Sequence, residues 1–265
     1  MIDFGRIAGV IMDMDGVLWR GDQALPDLGA WFDFLRTRGL RYVMATNNSR
    51  LAPVDYIEKL ARMGIHGIEA DQIITSGTAT VAYVQAHFPA GSLIHVLGGD
   101  GLRMMLSEGG YAVTSEIDPH VVAVTVGVDF ALTYDKLKNA SMCIRAGAAF
   151  IATNNDATFP TPEGLVPGAG SIVAALRTAS GVEPMNMGKP NAPMFEAALR
   201  ALGMDAGDAL MVGDRLDTDI AGAAALGIQT VLVLTGVSTL AEVAAAAGQP
   251  DGVYAGLGEL VAAWS

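Results

Sequence analysis

The chain has 265 residues, of which 51% are hydrophobic, and a formal net charge of −12. This length is enough for one large domain or two smaller ones with a substantial core. Acidic chains without a basic cluster bind nucleic acids and anionic membranes poorly, so neither is an expected partner. The single cysteine excludes an intramolecular disulfide and agrees with a cytoplasmic location, which we expect.

Strands and helices are predicted to alternate along the chain. Strands are predicted at residues 9–12, 41–45, 73–75, 93–97, 121–126, 150–152, 208–212, 230–234 and 253–254. Helices are predicted at residues 28–38, 53–63, 78–87, 101–108, 134–147, 171–180 and 219–226, around Pro193, at residues 239–247, and in a last segment that ends at Trp264. Residues 158–170, rich in proline and glycine, are predicted to form a loop. This alternation indicates an α/β protein with a mostly parallel sheet covered by helices.

One uncharged stretch resembles a membrane span but is predicted to form several shorter elements. Residues 220–241 carry no formal charge and are long enough to cross a bilayer. Glycine, threonine and serine residues interrupt them, which favours a helix end, a turn and a strand. No basic segment followed by an apolar run occurs at the start, so no signal peptide is predicted.

Two carboxylates follow the first predicted strand. Asp13 and Asp15 are two positions apart, and residues with this spacing in an extended segment point to the same side. Two such charges repel each other unless a cation or a shared proton lies between them. The pair therefore indicates a metal or acid–base site. The alternative is a solvated strand end followed by an Asp-Gly turn.

Polar residues also follow two other predicted strands, at Thr46-Asn47-Asn48 and at Asp214. Ligands of parallel sheets bind beyond the carboxyl ends of the strands, so these groups are expected to share one crevice. Carboxylate oxygens favour Mg²⁺, while hydroxyl and amide groups suit phosphate oxygens. Lys189, one of four lysines, would add a positive charge. Ordinary turn chemistry and a solvated surface lysine are the alternatives.

The chain resembles the haloacid-dehalogenase-like (HAD) phosphatases, and within them the NagD-like, 4-nitrophenylphosphatase-type branch (class IIA). The resemblance covers essentially the whole chain. It is carried by four motifs: Asp13-Met14-Asp15-Gly16-Val17-Leu18, Thr46-Asn47-Asn48, Gly188-Lys189-Pro190 and Gly213-Asp214-Arg215-Leu216-Asp217-Thr218-Asp219.

The resemblance implies an α/β fold: a HAD Rossmann-like parallel-sheet core with an inserted, smaller α/β cap domain. Residues 1–88 and 184–265 would form the catalytic core, and residues 89–183 the cap that determines substrate specificity. Residues 150–156, followed by residues 167–171, are similar to the return segment of such a cap.

The implied activity is that of a Mg²⁺-dependent phosphatase. It would hydrolyse small phosphorylated metabolites, phosphomonoesters such as sugar, polyol or nucleoside monophosphates, through an aspartyl-phosphate intermediate. Asp13 would be the nucleophile, and Asp15 would protonate the leaving oxygen and then activate water. The Asp13 carboxylate, the Asp15 backbone carbonyl and Asp214 would bind Mg²⁺.

Further roles follow from the same resemblance. Asp219 would orient Lys189 or a metal-bound water. Thr46, Asn47, Asn48 and Lys189 would hold the phosphoryl oxygens, and the cap residues expected to influence specificity are Asn155, Asp156 and Phe159. Members that act on pyridoxal phosphate have a histidine where this chain has Phe159, which weakens that assignment and indicates a more apolar cap surface.

Two other functions are left open by the residues alone. One is a non-catalytic, regulatory α/β protein that binds phosphorylated metabolites, and the other is a phosphotransferase on the same fold. The presence of both Asp13 and Asp15 favours an enzyme, because binding needs no acid for a leaving group. The oligomeric state is also open, including a homodimer formed through the cap.

Overall fold

Two separate parallel sheets organise the chain. A computed structural model describes residues 2–161 and 163–265. By their contacts the residues divide into two compact units. The first unit contains the residues up to Thr46, Pro53–Ile74 and Lys189–Ser265, and the second contains Asn47–Ala52 and Thr75–Gly188.

The elements alternate as an α/β chain does. The strands are β1 (Gly9–Met12), β2 (Trp19–Arg20), β3 (Gln23–Ala24), β4 (Arg41–Thr46), β5 (Ile73–Thr75), β6 (Leu93–Leu97), β7 (Ala112–Thr114), β8 (Val121–Val126), β9 (Ala149–Ala152), β10 (Thr158–Thr161), β11 (Gly164–Pro167), β12 (Met185–Asn186), β13 (Ala209–Gly213), β14 (Gln229–Val233) and β15 (Gly252–Tyr254). The α-helices are α1 (Leu28–Thr37), α2 (Pro53–Arg62), α3 (Ser76–His87), α4 (Asp100–Glu108), α5 (Tyr134–Arg145), α6 (Ala169–Ser180), α7 (Ala192–Leu202), α8 (Ala221–Ala225), α9 (Leu240–Ala245) and α10 (Leu257–Trp264). Short 3₁₀ turns lie at Ala70–Gln72 and Ala206–Asp208, and a π-helical turn lies at Leu216–Ile220.

The sheet of the first unit has six strands in the order β15-β14-β13-β1-β4-β5. Strand β1 pairs in parallel with β13 on one side and β4 on the other, and Met12 lies opposite both Val212 and Met44. The carboxyl ends of these three strands therefore reach one edge of the sheet together. Asp13 and Asp214, which follow β1 and β13 directly, are delivered to that edge.

The core of the first unit explains why β1 lies at its centre. All four β1 residues are buried, as expected for a strand covered on both faces. Helix α1 presents an apolar stripe with helical spacing, formed by Leu28, Trp31, Phe32 and Leu35. Full burial of each such side chain contributes about 1.5–3 kcal/mol.

The second unit has its own parallel sheet, in the order β12-β9-β8-β6-β7. Helices α5 and α6 pack on it through a cluster of buried apolar side chains that includes Ile144 and Leu176. Strands β10 and β11 form a separate antiparallel hairpin. The predicted α/β class is confirmed, and strands β1, β5, β6 and β8 have the predicted bounds.

The predicted loop at residues 158–170 is wrong. This segment contains the β10–β11 hairpin and the first two residues of α6, which begins at Ala169. Proline and glycine reduce the strand signal, but a two-stranded hairpin tolerates proline on its unpaired edges. Strands β2, β3, β7 and β12, of two or three residues each, are also absent from the prediction.

Two further predictions concern the domain boundaries and the uncharged stretch at residues 220–241. The contact-based division places α3 in the second unit, whereas the boundary predicted at residue 88 places it in the first; the domain boundaries stay a prediction. The stretch at residues 220–241 forms α8, β14 and the start of α9. In residues 2–161 and 163–265, no helix has both the length and the apolar character needed to cross a bilayer.

Candidate active site

Asp13 is held at the carboxyl edge of the six-stranded sheet. Its backbone N–H donates to the carbonyl of Val212, 2.9 Å away, which continues the β1–β13 pairing by one residue. Asp13 is 9% exposed. Burial raises the pKa of its carboxyl group, and the neighbouring Lys189 opposes that rise.

Lys189 is the cation of this site. Its Nζ lies 2.6 Å from Oδ1 of Asp13, 2.7 Å from Oδ1 of Asp219 and 3.0 Å from the carbonyl of Ala45. Burial lowers the pKa of Lys189, but the two carboxylates outweigh it and the pKa is raised overall. The ammonium group therefore stays charged and links the ends of β1 and β4 with the π-helical turn.

Asp214 adds a second buried carboxylate at the end of β13. It is 1% exposed, and its Oδ2 accepts a hydrogen bond from the N–H of Val237 at 2.7 Å. Its buried Oδ1 has no hydrogen-bond partner in the part of the chain that the structure describes. Burial, followed by the charges of Asp13 and Asp219, raises the pKa of Asp214 to about 8.

Asp219 occupies the floor of the site. Its Oδ2 accepts the N–H groups of Asp214 and Arg215, at 3.2 and 3.1 Å, while its Oδ1 faces Lys189. Burial raises the pKa of Asp219 to about 6, although Lys189 acts in the opposite direction. The π-helical turn places Asp219 here, so this residue both pairs with Lys189 and shapes the loop after β13.

These groups fit a hard divalent cation. Asp13, Asp214 and Asp219 each offer one oxygen, and the three oxygens lie within 4.8 Å of one another. Two of these buried carboxylates, Asp13 and Asp219, pair with the ammonium group of Lys189, and Oδ1 of Asp214 has no hydrogen-bond partner among the described residues. A cation ligated by oxygen would relieve both the repulsion and the missing contact, as Mg²⁺ does in carboxylate sites. The Asp15 carboxylate does not belong to this cluster; its predicted contribution is its backbone carbonyl, and that stays a prediction.

Two glycines allow the chain to approach Asp214 closely. A Cβ on Gly236 would lie 1.8 Å from Oδ2 of Asp214, and one on Gly16 would lie 2.4 Å from the same atom. Gly16 also has a φ of +85°, in the left-handed region that favours glycine. Any side chain at either position would displace the carboxylate.

Asp15 is exposed, in contrast to Asp13. Its Oδ1 accepts a hydrogen bond of 2.9 Å from Nε1 of Trp19. Thr46, the last residue of β4, is buried. The first unit thus brings together Asp13, Lys189, Asp214 and Asp219, with Asp15 following Asp13 by two positions.

The other predicted phosphate ligands belong to the second unit. The side-chain amide of Asn47 donates to both carboxylate oxygens of Asp156, at 3.3 and 3.2 Å. Oδ1 of Asn48 accepts the N–H of Arg50 at 2.9 Å, which closes a local turn. Asn47 and Asp156, which is predicted to lie in the cap, are therefore in direct contact.

The other two residues predicted to lie in the cap, Asn155 and Phe159, differ in their surroundings. Asn155 is exposed, whereas Phe159 on β10 is half-buried and packs edge-on against Phe130, with ring centroids 5.6 Å apart. The guanidinium of Arg50 lies over both rings, 4.4 Å from the centroid of Phe130 and 5.7 Å from that of Phe159. The predicted apolar cap surface around Phe159 is thus aromatic and includes one cation.

Known proteins identify the family. A model described as haloacid dehalogenase-like hydrolase matches residues 10–112, and a HAD-hydrolase-like model matches residues 186–260. An acid sugar phosphatase of Staphylococcus aureus is 37% identical over 233 residues, which are 88% of this chain and 88% of the relative. The chain belongs to the haloacid dehalogenase-like hydrolases.

Solved structures refine the place of this HAD hydrolase. The 4-nitrophenylphosphatase of Thermotoga maritima superposes with a TM-score of 0.92 at 35% identity, and each chain is covered completely (100%). A glycerol phosphate phosphatase of Mycobacterium tuberculosis, solved in complex with magnesium, has a TM-score of 0.89 at 30% identity, with 97% of this chain and 77% of that chain covered. The predicted NagD-like, 4-nitrophenylphosphatase-type branch is confirmed.

The HAD hydrolase is an enzyme that acts on phosphoric monoesters, as predicted. The non-catalytic alternative is not supported. Sequence reasoning missed Trp19, Gly236 and the Arg50–Phe130 pair. A spacing of four residues from Asp15 to a tryptophan is visible in the sequence, but the approach of Gly236 to Asp214 depends on tertiary structure.

Proposed function

We propose that the chain is a Mg²⁺-dependent phosphatase of small phosphorylated metabolites and that it acts through an aspartyl-phosphate on Asp13. The observation that supports this is the set of contacts around Asp13. This buried carboxylate lies 2.6 Å from Lys189 and within 4.8 Å of ligand oxygens on Asp214 and Asp219.

Asp13 serves as the nucleophile. A carboxylate attacks phosphorus only in its ionised form, and Lys189 stabilises that form against the effect of burial. One oxygen of Asp13 forms a bond to phosphorus while the bond between phosphorus and the substrate oxygen breaks. The electron pair stays on the leaving oxygen, which receives a proton from Asp15.

Asp15 then reverses its role. It takes a proton from water, and the water oxygen forms a new bond to phosphorus as the bond to Asp13 breaks. Inorganic phosphate leaves, Asp13 is again a carboxylate, and Asp15 is again protonated. The exposure of Asp15 suits this exchange, because the proton must pass between the carboxyl group, the alcohol and water.

The residues that would hold Mg²⁺ are Asp13, Asp214 and the backbone carbonyl of Asp15. A bound Mg²⁺ would screen the charge of Asp13 from the phosphoryl group and stabilise the charge that develops during transfer. Support comes from the unsatisfied Oδ1 of Asp214 and from the raised pKa of its carboxyl group. The magnesium complex of the Mycobacterium tuberculosis relative is in agreement.

The substrate is proposed to be a sugar or polyol phosphate, in line with the names of the relatives, which are an acid sugar phosphatase and a glycerol phosphate phosphatase. Thr46, Asn47, Asn48 and Lys189 would hold the phosphoryl oxygens. The part of the substrate outside its phosphoryl group would be contacted by Asn155, Asp156 and Phe159. Asp156 would also orient Asn47, because its carboxylate accepts hydrogen bonds from the Asn47 side-chain amide.

Phosphate release from 4-nitrophenyl phosphate, with and without Mg²⁺, tests this function. We expect turnover that requires the cation and a loss of at least about a thousand-fold in Asp13→Asn. Asp217→Asn is the matched control, since its carboxylate is exposed and paired with Arg215. Full turnover in Asp13→Asn, or in wild type after removal of divalent cations, would contradict the proposal. A panel of sugar, polyol and nucleoside monophosphates ranked by kcat/KM then identifies the substrate class.

The phosphotransferase alternative has no specific support among these contacts. It predicts that added alcohols receive more phosphoryl groups than water does. Measuring phosphorylated alcohol and inorganic phosphate in the same reaction separates the two activities.

A further inference from the structure

The side chain of Asp15, the proposed general acid, is hydrogen-bonded to a buried tryptophan. Its Oδ1 accepts a hydrogen bond from the indole Nε1 of Trp19 at 2.9 Å. Asp15 is exposed, whereas Trp19 is 0% exposed. An exposed aspartate samples several rotamers, and selecting one of them costs conformational entropy. A donor on a completely buried ring fixes that rotamer before the substrate arrives.

The backbone makes this contact rigid. The N–H of Gly16 donates to the carbonyl of Trp19 at 2.8 Å, and Trp19 donates to the carbonyl of Met14 at 3.3 Å. Trp19 then enters the β2–β3 hairpin, opposite Ala24. The four-residue step from Asp15 to Trp19 is therefore a closed turn that fixes the main chain of Trp19 relative to that of Asp15.

Helix α2 holds the indole ring from another side. Tyr56 stacks on Trp19 with ring centroids 6.3 Å apart and an interplanar angle of 15°. Nζ of Lys59 lies 4.4 Å from the centroid of the Trp19 ring. Tyr56 and Lys59 are one helical turn apart, so they meet the same side chain. A cation over the ring face and a stacked aromatic ring both resist tilting of the N–H.

We propose that Trp19 is a positioning residue: its N–H holds Oδ1 of Asp15, so that the proton of the general acid is carried on Oδ2. In a protonated carboxyl group the carbonyl oxygen is a much better hydrogen-bond acceptor than the hydroxyl oxygen. An N–H donor at Oδ1 therefore favours the form in which the proton, given to the leaving oxygen and later taken from water, is carried on Oδ2. This inference rests on the proposed function of Asp15.

Comparison of two leaving groups distinguishes a role of Trp19 in positioning Asp15 from a purely structural role. 4-Nitrophenolate departs without a proton because its charge is delocalised, whereas an alkoxide needs one. For an enzyme with a covalent intermediate, kcat/KM reports the steps up to release of the alcohol. Loss of acid positioning should therefore lower kcat/KM for an alkyl phosphate and leave the value for 4-nitrophenyl phosphate nearly unchanged.

The variant is Trp19→Phe, assayed on glycerol 3-phosphate and 4-nitrophenyl phosphate with saturating Mg²⁺. We expect kcat/KM to fall about tenfold for the alkyl ester and less than about twofold for the aryl ester, since general acid catalysis is worth 10²–10⁴-fold and only its orientation is lost. Trp31→Phe is the matched control. Trp31 is also fully buried in the first unit, but its Nε1 has no hydrogen-bond partner among the described residues.

A second replacement separates shape from hydrogen bonding. Incorporation of 3-benzothienylalanine at position 19 keeps the bicyclic ring and exchanges the N–H for sulfur, so the packing with Tyr56 and Lys59 survives. The same selective loss on the alkyl ester is expected, even if Trp19→Phe does not fold. Equal losses on both esters, or no loss on either, would overturn the role of Trp19. If wild type hydrolyses neither ester, the proposed function fails and this inference fails with it.

Discussion

The ammonium group of Lys189 and the carboxylate of Asp219 form a buried ion pair, 2.7 Å apart, next to Asp13. The side chains are 3% and 1% exposed. Removing charges from water is costly, so such a pair is stable only when both partners are present. Lys189 thus has two tasks: it opposes the rise that burial causes in the pKa of Asp13, and it compensates the charge of Asp219.

Removal of the Lys189 charge should destabilise the protein. Lys189→Met leaves Asp13 and Asp219 buried without a counter-charge, and we expect the free energy of unfolding to fall by about 3 kcal/mol. Lys138→Met is the control, because Lys138 makes an ion pair of the same length, 2.7 Å, with Asp135 at the surface. That change should cost much less, because solvent screens an ion pair at the surface. Urea titration measures both, and equal effects would show that burial of the Lys189 pair is unimportant.

Mg²⁺ should stabilise the protein through Asp214. Wild type is expected to gain about 2.7 kcal/mol at a cation concentration a hundred times the Kd, seen as a higher Tm. Asp214→Asn should unfold at a higher temperature than wild type without cation, because it removes a charge that burial, Asp13 and Asp219 disfavour. It should then gain little from Mg²⁺. Asp217→Asn should respond to Mg²⁺ as wild type does, and an undiminished shift in Asp214→Asn would argue against Asp214 as a ligand.

The space at Gly236 should be essential for the carboxylate arrangement. In Gly236→Ala the new methyl group would meet Oδ2 of Asp214, so Asp214 must move away from Val237 and from the cluster. We expect phosphatase activity to fall more than about tenfold, because the Asp214 carboxylate would no longer lie in its position beside Asp13. Gly29→Ala, in α1 with no atom within 4 Å of the new Cβ, is the control. It should keep full activity and stabilise the helix by about 0.5–1 kcal/mol. Steady-state kinetics would contradict the prediction if both variants were equally active.

Low pH should lower the stability of the second unit because of the buried His95. This ring is 1% exposed, and its Nδ1 lies 3.1 Å from the carbonyl of Glu116. Burial lowers the pKa of His95 in the folded protein, and Arg103 acts in the same direction while Glu116 opposes it. As the pH falls below about 6.5, the unfolded chain binds a proton that the folded chain does not, so stability is present above that pH and is lost below it.

His95→Gln should reduce this loss of stability between neutral and mildly acidic pH. The control is His120→Gln, since His120 is exposed. Chemical unfolding at a series of pH values, with and without each change, measures the slope. An unchanged slope in His95→Gln would exclude His95 as its source.

Much of the fold was predictable because local pattern determines it. The apolar run of β1 and the β-branched run of β8 have the predicted bounds, since each is completely or almost completely buried and flanked by turn residues. The loop predicted at residues 158–170 was wrong, since the segment contains the β10–β11 hairpin. The helix predicted at residues 219–226 is present as α8, and its first two residues belong to the π-helical turn.

The sequence by itself determined the α/β class and the family, because strand ends and motifs are local. The residues proposed to carry the chemistry, Asp13, Asp15, Lys189 and Asp214, all lie in these motifs. Only the tertiary structure decided how their charges are balanced. Lys189 pairs with Asp13 and Asp219 rather than with solvent, and Oδ1 of Asp214 is left without a partner. The energy of a charge depends on its burial and on neighbours from distant parts of the chain, and the order of residues does not specify these distances.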